Sequence, residues 1–229
     1  LASVADDALV CIWDLKARDL TCEPISGHKG AVWTVKFCSD DLRLVTGGDD
    51  GTIHTWDVQS GASLQVIYAH RYATRTLYVS PDGCRIASGS HDNTVCIWDA
   101  KTQKRIFKPL QREGGLRSMC FSPNGTQMVT GSWDGMVCLW NISPLGADKL
   151  VSFKNGRPVT CVHYSADGSK LLGASYDQQV RVWEVKTGKL LQVFVHDDSV
   201  TTAAFSPDGE RVVSGTTNGF LYMWNVATG

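Results

Sequence analysis

The sequence predicts an all-β fold built from one repeated unit of four antiparallel strands, and three observations predict it. Trp13, Trp56, Trp98, Trp140, Trp183 and Trp224 are separated by 43, 42, 42, 43 and 41 residues along a chain of 229, a period that marks a repeat architecture. Each of these tryptophans ends a short alternating or β-rich run, as in "TIHTW", "TVCIW" and "VRVW", entered through a turn such as "DDG", "HDN" or "WDG". Such a run behind Asp, Asn or Gly is a hairpin signal. Upstream of each hairpin lies a further β-rich run closed by its own turn, so the strands recur with the tryptophans.

Taken in order, the first strand of a unit is "AVWTVKF", "TRTLYV", "LRSMCF", "PVTCVHY" or "VTTAAF". It is followed by "SPDG", "SPNG" or "SADG", whose Pro, Asp and Gly suit a tight turn. The second strand leads to the hairpin turn, and the third ends on the Trp, followed by Asp14, Asp57, Asp99, Asn141, Glu184 or Asn225. A fourth run such as "LQVI" or "LLQVF" completes the unit.

Composition agrees with a folded chain. With 43% hydrophobic and 20% charged residues it can bury a substantial core. A net charge of −1 gives no electrostatic excess of the kind a dedicated nucleic-acid or anionic-membrane binder carries. No apolar run approaches the roughly 18 residues of a membrane span. No charged-then-apolar leader opens the chain, which begins at Leu1. The expectation is a soluble protein, incomplete at its start. Eight cysteines, Cys11, Cys22, Cys38, Cys84, Cys96, Cys120, Cys138 and Cys161, include no C-x-x-C, so no zinc or thioredoxin-like site is suggested. Cys11, Cys96 and Cys138 each precede a marker Trp by two residues. Equivalent inward positions in successive units rarely meet in pairs, so reduced thiols and an intracellular compartment are expected, cytoplasmic with the nucleus open.

A unit of this length, with four strands, a Gly-His or its remnant before the first strand and Trp-Asp closing the third, resembles the WD40 repeat of β-propellers. The resemblance covers the whole chain as a single domain, 1–229. It implies a partial first blade at 1–26, four intact blades within 27–195 and a partial last blade at 196–229. It also implies, in each blade, a hydrogen-bonded tetrad of a turn Asp, a His before the first strand, a hydroxyl in the second and the Trp of the third. The second repeat supplies Asp50, His28, Thr46 and Trp56, and the third Asp92, His70, Ser88 and Trp98. The fourth has Asp134, Thr130 and Trp140 with Arg112 in the His slot; the fifth has Asp177 and Trp183 with Asn155 and Gly173. The sixth keeps His196, Ser214 and Trp224 beside Asn218, and the first keeps Ser3, Asp7 and Trp13. The hydroxyl is placed ten residues before the Trp because Ser or Thr stands there in five of six repeats, against four of six at the eighth residue before it.

An Asp, a His and a hydroxyl are also the ingredients of a nucleophilic triad, but a nucleophile is built once, at an exposed and strained position. Recurrence beside an indole points instead to scaffold, where a completed buried network rigidifies and a half-completed one is costly. Phosphate loops, dinucleotide fingerprints and zincin motifs are missing from the sequence, so no enzyme, cofactor or metal is expected. The sequons at Asn124 and Asn141 coincide with a repeat turn and a Trp-Asp marker, and in a cytosolic protein are accidents of composition. "WDLKAR" approaches the W-D-x-R element of some family members, but Lys16 stands where that element needs Arg.

Function then rests on residues the scaffold does not need. The resemblance implies a partner-binding top face lined by the residue five after the His slot and the residue before the turn Asp. The first set reads Trp33, Arg75, Arg117, Thr160 and Thr201, and the second Asp49, His91, Trp133, Tyr176 and Thr217. Trp, Tyr and Arg are the types that most often carry interface hot spots. The expected function is a non-catalytic scaffold docking proteins or peptides through Trp33, Asp49, Arg75, His91, Arg117, Trp133 and Tyr176. Alternatives are a phosphopeptide or single-stranded nucleic-acid reader on the same face, and a sensor propeller of a larger signalling protein. Alternatively, Trp33 and Trp133 only pack against neighbouring loops.

The register also sets expectations for the ends. Leu1 aligns with Leu44 and Gly229 with Gly61, so both terminal blades are cut. The chain is expected to be a segment of a ring of at least seven blades, its missing strands coming from the same polypeptide or from a second copy, with strand exchange or self-association if left open.

Overall fold

The residue after each turn Asp or Asn needs a left-handed backbone, and this fixes where every central hairpin folds. Ala8, Gly51, Asn93, Gly135, Gln178 and Gly219 all have φ between 65° and 87°, a region open to glycine and tolerated best otherwise by Asn. The computed structural model describes residues 1–143 and 146–229, and places a strand on either side of each of these turns.

The described residues form six antiparallel sheets, each a blade whose strands pair in chain order. Blade 1 holds β1 (Ala2–Val4), β2 (Val10–Asp14) and β3 (Asp19–Leu20). Blade 2 holds β4 (Val32–Phe37), β5 (Arg43–Gly48), β6 (Thr52–Asp57) and β7 (Ser63–Tyr68). Blade 3 holds β8 (Thr74–Val79), β9 (Arg85–Ser90), β10 (Thr94–Asp99) and β11 (Leu110–Gln111). Blade 4 holds β12 (Leu116–Phe121), β13 (Gln127–Ser132), β14 (Met136–Ser143) and β15 (Gly146–Lys154). Blade 5 holds β16 (Val159–Tyr164), β17 (Lys170–Ser175), β18 (Gln179–Glu184) and β19 (Leu190–Val195). Blade 6 holds β20 (Val200–Phe205), β21 (Arg211–Thr216) and β22 (Leu221–Asn225). The fold is the all-β WD40 type, with four four-stranded blades between two three-stranded ones. The described residues contain no helix, and so none long and apolar enough to cross a membrane.

Local chemistry sets the shorter turns too. Ser80, Ser122, Ser165 and Ser206 each donate a side-chain hydrogen bond to the Asp or Asn two residues on, Asp82, Asn124, Asp167 and Asp208. These close the Ser-x-Asp/Asn turns between first and second strands before any distant contact is needed. The fourth strand is the least regular: in blade 1 it breaks after Leu20 and resumes as a bridge from Ile25 to Val10, and β11 spans only two residues.

Two compact units divide the chain, Leu1–Arg112 and Glu113–Gly229. In the first, one apolar layer joins Val10, Ile12 and Ile25 of blade 1 to Val32, Leu44 and Trp56 of blade 2. Another joins Val45, Ile53 and Ile67 to Leu77, Ile86 and Trp98. In the second unit, Leu172, Val180, Val182 and Phe194 of blade 5 meet Val200, Ala203, Phe205 and Val212 of blade 6. Each Val, Leu, Ile or Phe among them contributes about 1.5–3 kcal/mol by leaving water. Cys96 lies in the layer between blades 2 and 3, Cys138 is buried and Cys11 is half-buried; none of the eight cysteines forms a disulfide.

Candidate functional site

Two sets of side chains stand out, one buried and recurrent, the other at the rim. In blade 2 the buried set forms an unbroken polar chain. His28 Nδ1 is 3.1 Å from Asp50, His28 Nε2 is 2.8 Å from Thr46 Oγ1, and Trp56 Nε1 donates to the same hydroxyl at 2.8 Å. Burial pushes the Asp50 carboxyl upward, but hydrogen bonds from Thr52, the Lys29 and Thr52 amides and His28 prevail and hold it at about 2. Blade 3 repeats the arrangement: His70 Nδ1 lies 3.1 Å from Asp92, His70 Nε2 2.8 Å from Ser88 Oγ, and Trp98 Nε1 donates to Ser88 at 2.9 Å. The Asp92 carboxyl, pushed up by burial, is held well below the carboxylate range by His70, Thr94 and the Arg71 amide.

Elsewhere the set is partial. The indole donates to the hydroxyl ten residues back in Trp13–Ser3, Trp140–Thr130 and Trp224–Ser214 as well. In blade 6 His196 Nε2 reaches Ser214 at 2.7 Å, while its Nδ1 faces the Gln178 carbonyl and Asn218 accepts from Thr216. Blade 5 is built otherwise. Arg181, from the third strand, holds Asp177 at 2.7 Å, Asn155 is buried with neither side-chain polar atom hydrogen-bonded to any described residue, and Phe153 stacks on Trp183 with centroids 4.8 Å apart. Thr46 and Ser88 are fully buried and already accept an indole N–H, so neither hydroxyl is presented to a substrate.

The rim set depends on a backbone irregularity. In blades 2 to 6 the ladder register of the first strand shifts by one residue near its start: Trp33, Arg75, Arg117, Thr160 and Thr201 fall between Val32/Thr34, Thr74/Thr76, Leu116/Ser118, Val159/Cys161 and Val200/Thr202. A bulge re-aims its extra side chain and kinks the strand. The residue before each turn Asp is tied to the same end, because the amides of Asp49, His91, Trp133, Tyr176 and Thr217 donate to the carbonyls of Ala31, Ala73, Gly115, Pro158 and Ser199.

The side chains on this frame gather within each unit. In Leu1–Arg112 the Arg75 guanidinium lies 3.6 Å above the Trp33 ring, whose Nε1 donates to Asp49. His91 occupies the matching place in blade 3. In Glu113–Gly229 Arg117 stands 4.9 Å from the Trp133 ring and 5.0 Å from Tyr176, with the two rings 6.2 Å apart. Trp33 and Trp133 are 39% and 41% exposed, so each stacked ring keeps an open part. A cleft of about 390 Å³ adjoins Tyr176, lined also by Gly156, Arg157, Asp177, Gln178 and Ser199. Thr160 and Thr201 behave differently from the larger residues, as their hydroxyls turn back to the Val200 and Gly215 carbonyls and Thr160 is buried. Sequence spacing assigned these slots, but it could not show which rings and guanidinium groups meet.

One feature of blade 2 has no counterpart in the spacing. His54, two residues before Trp56, is buried with its ring 4.0 Å from that of His28 and stacked at 5.0 Å on Trp56. Its Nδ1 meets no described hydrogen-bond partner. Desolvation, with a smaller contribution from His28, lowers its pKa to about 4, so the ring is neutral near pH 7.

Residues 31–215 match the family described as nucleolar protein 10-like, N-terminal domain, a β-propeller family. The chain is 31% identical over 222 residues to the U3 small nucleolar RNA-associated protein 15 homolog of Xenopus laevis, an alignment covering 96% of this chain and 42% of that protein. Shorter matches are 42% identity over 60 residues to a guanine nucleotide-binding protein subunit beta of Arabidopsis thaliana, covering 26% of this chain and 16% of that one. Eukaryotic translation initiation factor 3 subunit I of Neosartorya fischeri is 39% identical over 66 residues, with 29% and 19% covered. The chain thus spans well under half the length of these relatives. With six blades in register and that match over most of its length, the chain belongs to the WD40-repeat β-propellers, in the nucleolar protein 10-like N-terminal domain family.

Proposed function

We infer that the chain is a non-catalytic docking module that takes protein or peptide partners at the bulged ends of its blades. The observation that carries this reading is the stacking of Arg75 on Trp33 and of Arg117 against Trp133 and Tyr176. A guanidinium covered on its flat face by a ring is pre-ordered, so less side-chain entropy is lost when its edge meets a carboxylate, phosphate or carbonyl. Half-exposed rings beside it supply apolar area, the combination hot spots use. The buried tetrads are satisfied within themselves and serve as scaffold.

The relatives' names favour the nucleus, and RNA-containing assemblies within it, over the cytoplasmic setting expected from cysteine usage. One of those names refers to association with a small nucleolar RNA, which favours single-stranded RNA as a second reading of the same rings and arginines. The net charge of −1 still argues for protein as the main partner.

The test is capture of partners from nuclear extract by the full-length protein and by its Arg117→Ala and Trp133→Ala variants, with and without ribonuclease. Loss of about 2 kcal/mol of affinity, roughly 30-fold, in each variant and insensitivity to ribonuclease is the expected outcome for hot-spot residues. Binding abolished by ribonuclease and steep in salt selects RNA. Binding indifferent to both substitutions moves the site away from the bulged ends.

A further inference from the structure

We propose that blade 2 holds a divalent transition-metal site, of the Zn²⁺ class, formed by His28, Asp50 and His54. One donor atom from each of the three lies within 4.8 Å of the others, enclosed in the blade. The set is peculiar to this blade. The position of His54 is taken by Cys11, Cys96, Cys138, Arg181 and Tyr222 in the others, so only here does a second imidazole stand against the tetrad imidazole.

Three features make the cluster suited to a metal. His28 Nδ1 and Asp50 are 3.1 Å apart, close to the roughly 3.3 Å that separates two ligands of tetrahedral zinc with bonds near 2.0 Å. Metal can therefore replace the proton shared by that pair with little movement. His54 Nδ1 is buried and unpartnered, so turning this ring toward the pair breaks no hydrogen bond. Thr52 Oγ1, 3.3 Å from His28 Nδ1 and 2.7 Å from Asp50, or a water, is at hand for the fourth position.

The protons balance without leaving the blade. On binding, the proton on His28 Nδ1 is transferred to Nε2, which then donates to Thr46. The Thr46 oxygen has two lone pairs, so it can then accept from both His28 and Trp56, while its own hydroxyl hydrogen gives up Nε2 as acceptor. The indole end of the tetrad is kept, and the carboxylate end is bridged by metal in place of hydrogen. Asp50 keeps its Lys29 amide bond at 2.8 Å, which orients it as a ligand.

The experiment is to express the full-length protein in medium supplemented with Zn²⁺ or Co²⁺, purify it without chelator and measure metal per chain by mass spectrometry. Three forms are compared: wild type, His54→Phe, which keeps an aromatic ring against Trp56 without a donor, and His54→Cys, which copies blades 1, 3 and 4. The expected result is one equivalent in the wild type that is absent from His54→Phe, and ligand-field absorption of tetrahedral Co²⁺. His54→Cys should retain the metal and add a thiolate-to-cobalt charge-transfer band. Equal metal in wild type and His54→Phe, or none in wild type, overturns the site. Should His54→Phe fail to fold, His54→Cys decides: cobalt without a thiolate band places the metal elsewhere.

Discussion

Blades 3 and 5 perform the same structural task with different residues. In blade 3 Asp92 is met by His70, and Trp98 gives its N–H to Ser88. In blade 5 the His is Asn155 and the Ser is Gly173, yet Asp177 still anchors the turn, now through Arg181. What both keep is a backbone bond: the Arg71 amide donates to Asp92 at 3.0 Å and the Gly156 amide to Asp177 at 3.0 Å. The tie between the loop before the first strand and the hairpin turn is therefore the constant, and the side chain that bonds its carboxylate is interchangeable. The indole's hydrogen bond is interchangeable too, since the Trp183 ring faces Gly173 in the hydroxyl slot and is held by stacking on Phe153.

The largest effect should come from breaking the tie in blade 3. His70→Ala leaves the nearly buried Asp92 without its imidazole hydrogen bond and the Ser88 hydroxyl without its ring partner, and should cost about 3 kcal/mol in urea unfolding. Asn155→Ala in the equivalent slot removes two polar atoms with no described partner and should cost under about 1 kcal/mol. Equal losses at the two positions would mean the slot, not its bonding, determines stability.

Next is the acid response of blade 2. The folded pKa of His54, about 4, lies below its ordinary 6.5, so the unfolded chain binds more protons between those values and stability falls as pH drops through that window. Of the groups facing it, Asp50 stays ionised there. Between pH 7 and pH 5 the metal-free protein should lose about 2 kcal/mol through this group, and His54→Phe should remove that part of the pH dependence. Melting curves at the two pH values measure it.

Smaller still is Arg181→Met in blade 5. Asp177 retains the Gly156 and Gln179 amides and some solvent, so about 1 kcal/mol is expected by denaturant titration. Adding Asn155→His should recover part of it by returning a side-chain hydrogen-bond donor to the carboxylate. At the rim, Arg117→Ala should shift stability by no more than about 0.5 kcal/mol, because the side chain is half-exposed and outside the apolar layers.

Much of the scaffold was legible because its residues recur. Six tryptophans in register give the blades, and the choice of the tenth residue before each Trp names the hydroxyls that bond the indoles of Trp13, Trp56, Trp98, Trp140 and Trp224. What recurrence cannot show is substitution by an unrelated solution. Arg181 lies on the third strand, whereas the His slot it serves lies in the loop before the first, so no slot-by-slot reading finds it. His54 was hidden for the same reason, because its column reads as a thiol in three blades and only packing brings it against His28. The rim slots were legible by position, but Thr160 is turned inward by a carbonyl that only the fold brings near.

The bulge at the head of the first strand has an evolutionary consequence. Its extra residue stands outside the ladder register, so the register itself does not fix which side chain sits there. A duplicated blade inherits that open position along with its own fold. Trp33, Arg75, Arg117, Thr160 and Thr201 are thus five different side chains carried on one repeated backbone feature.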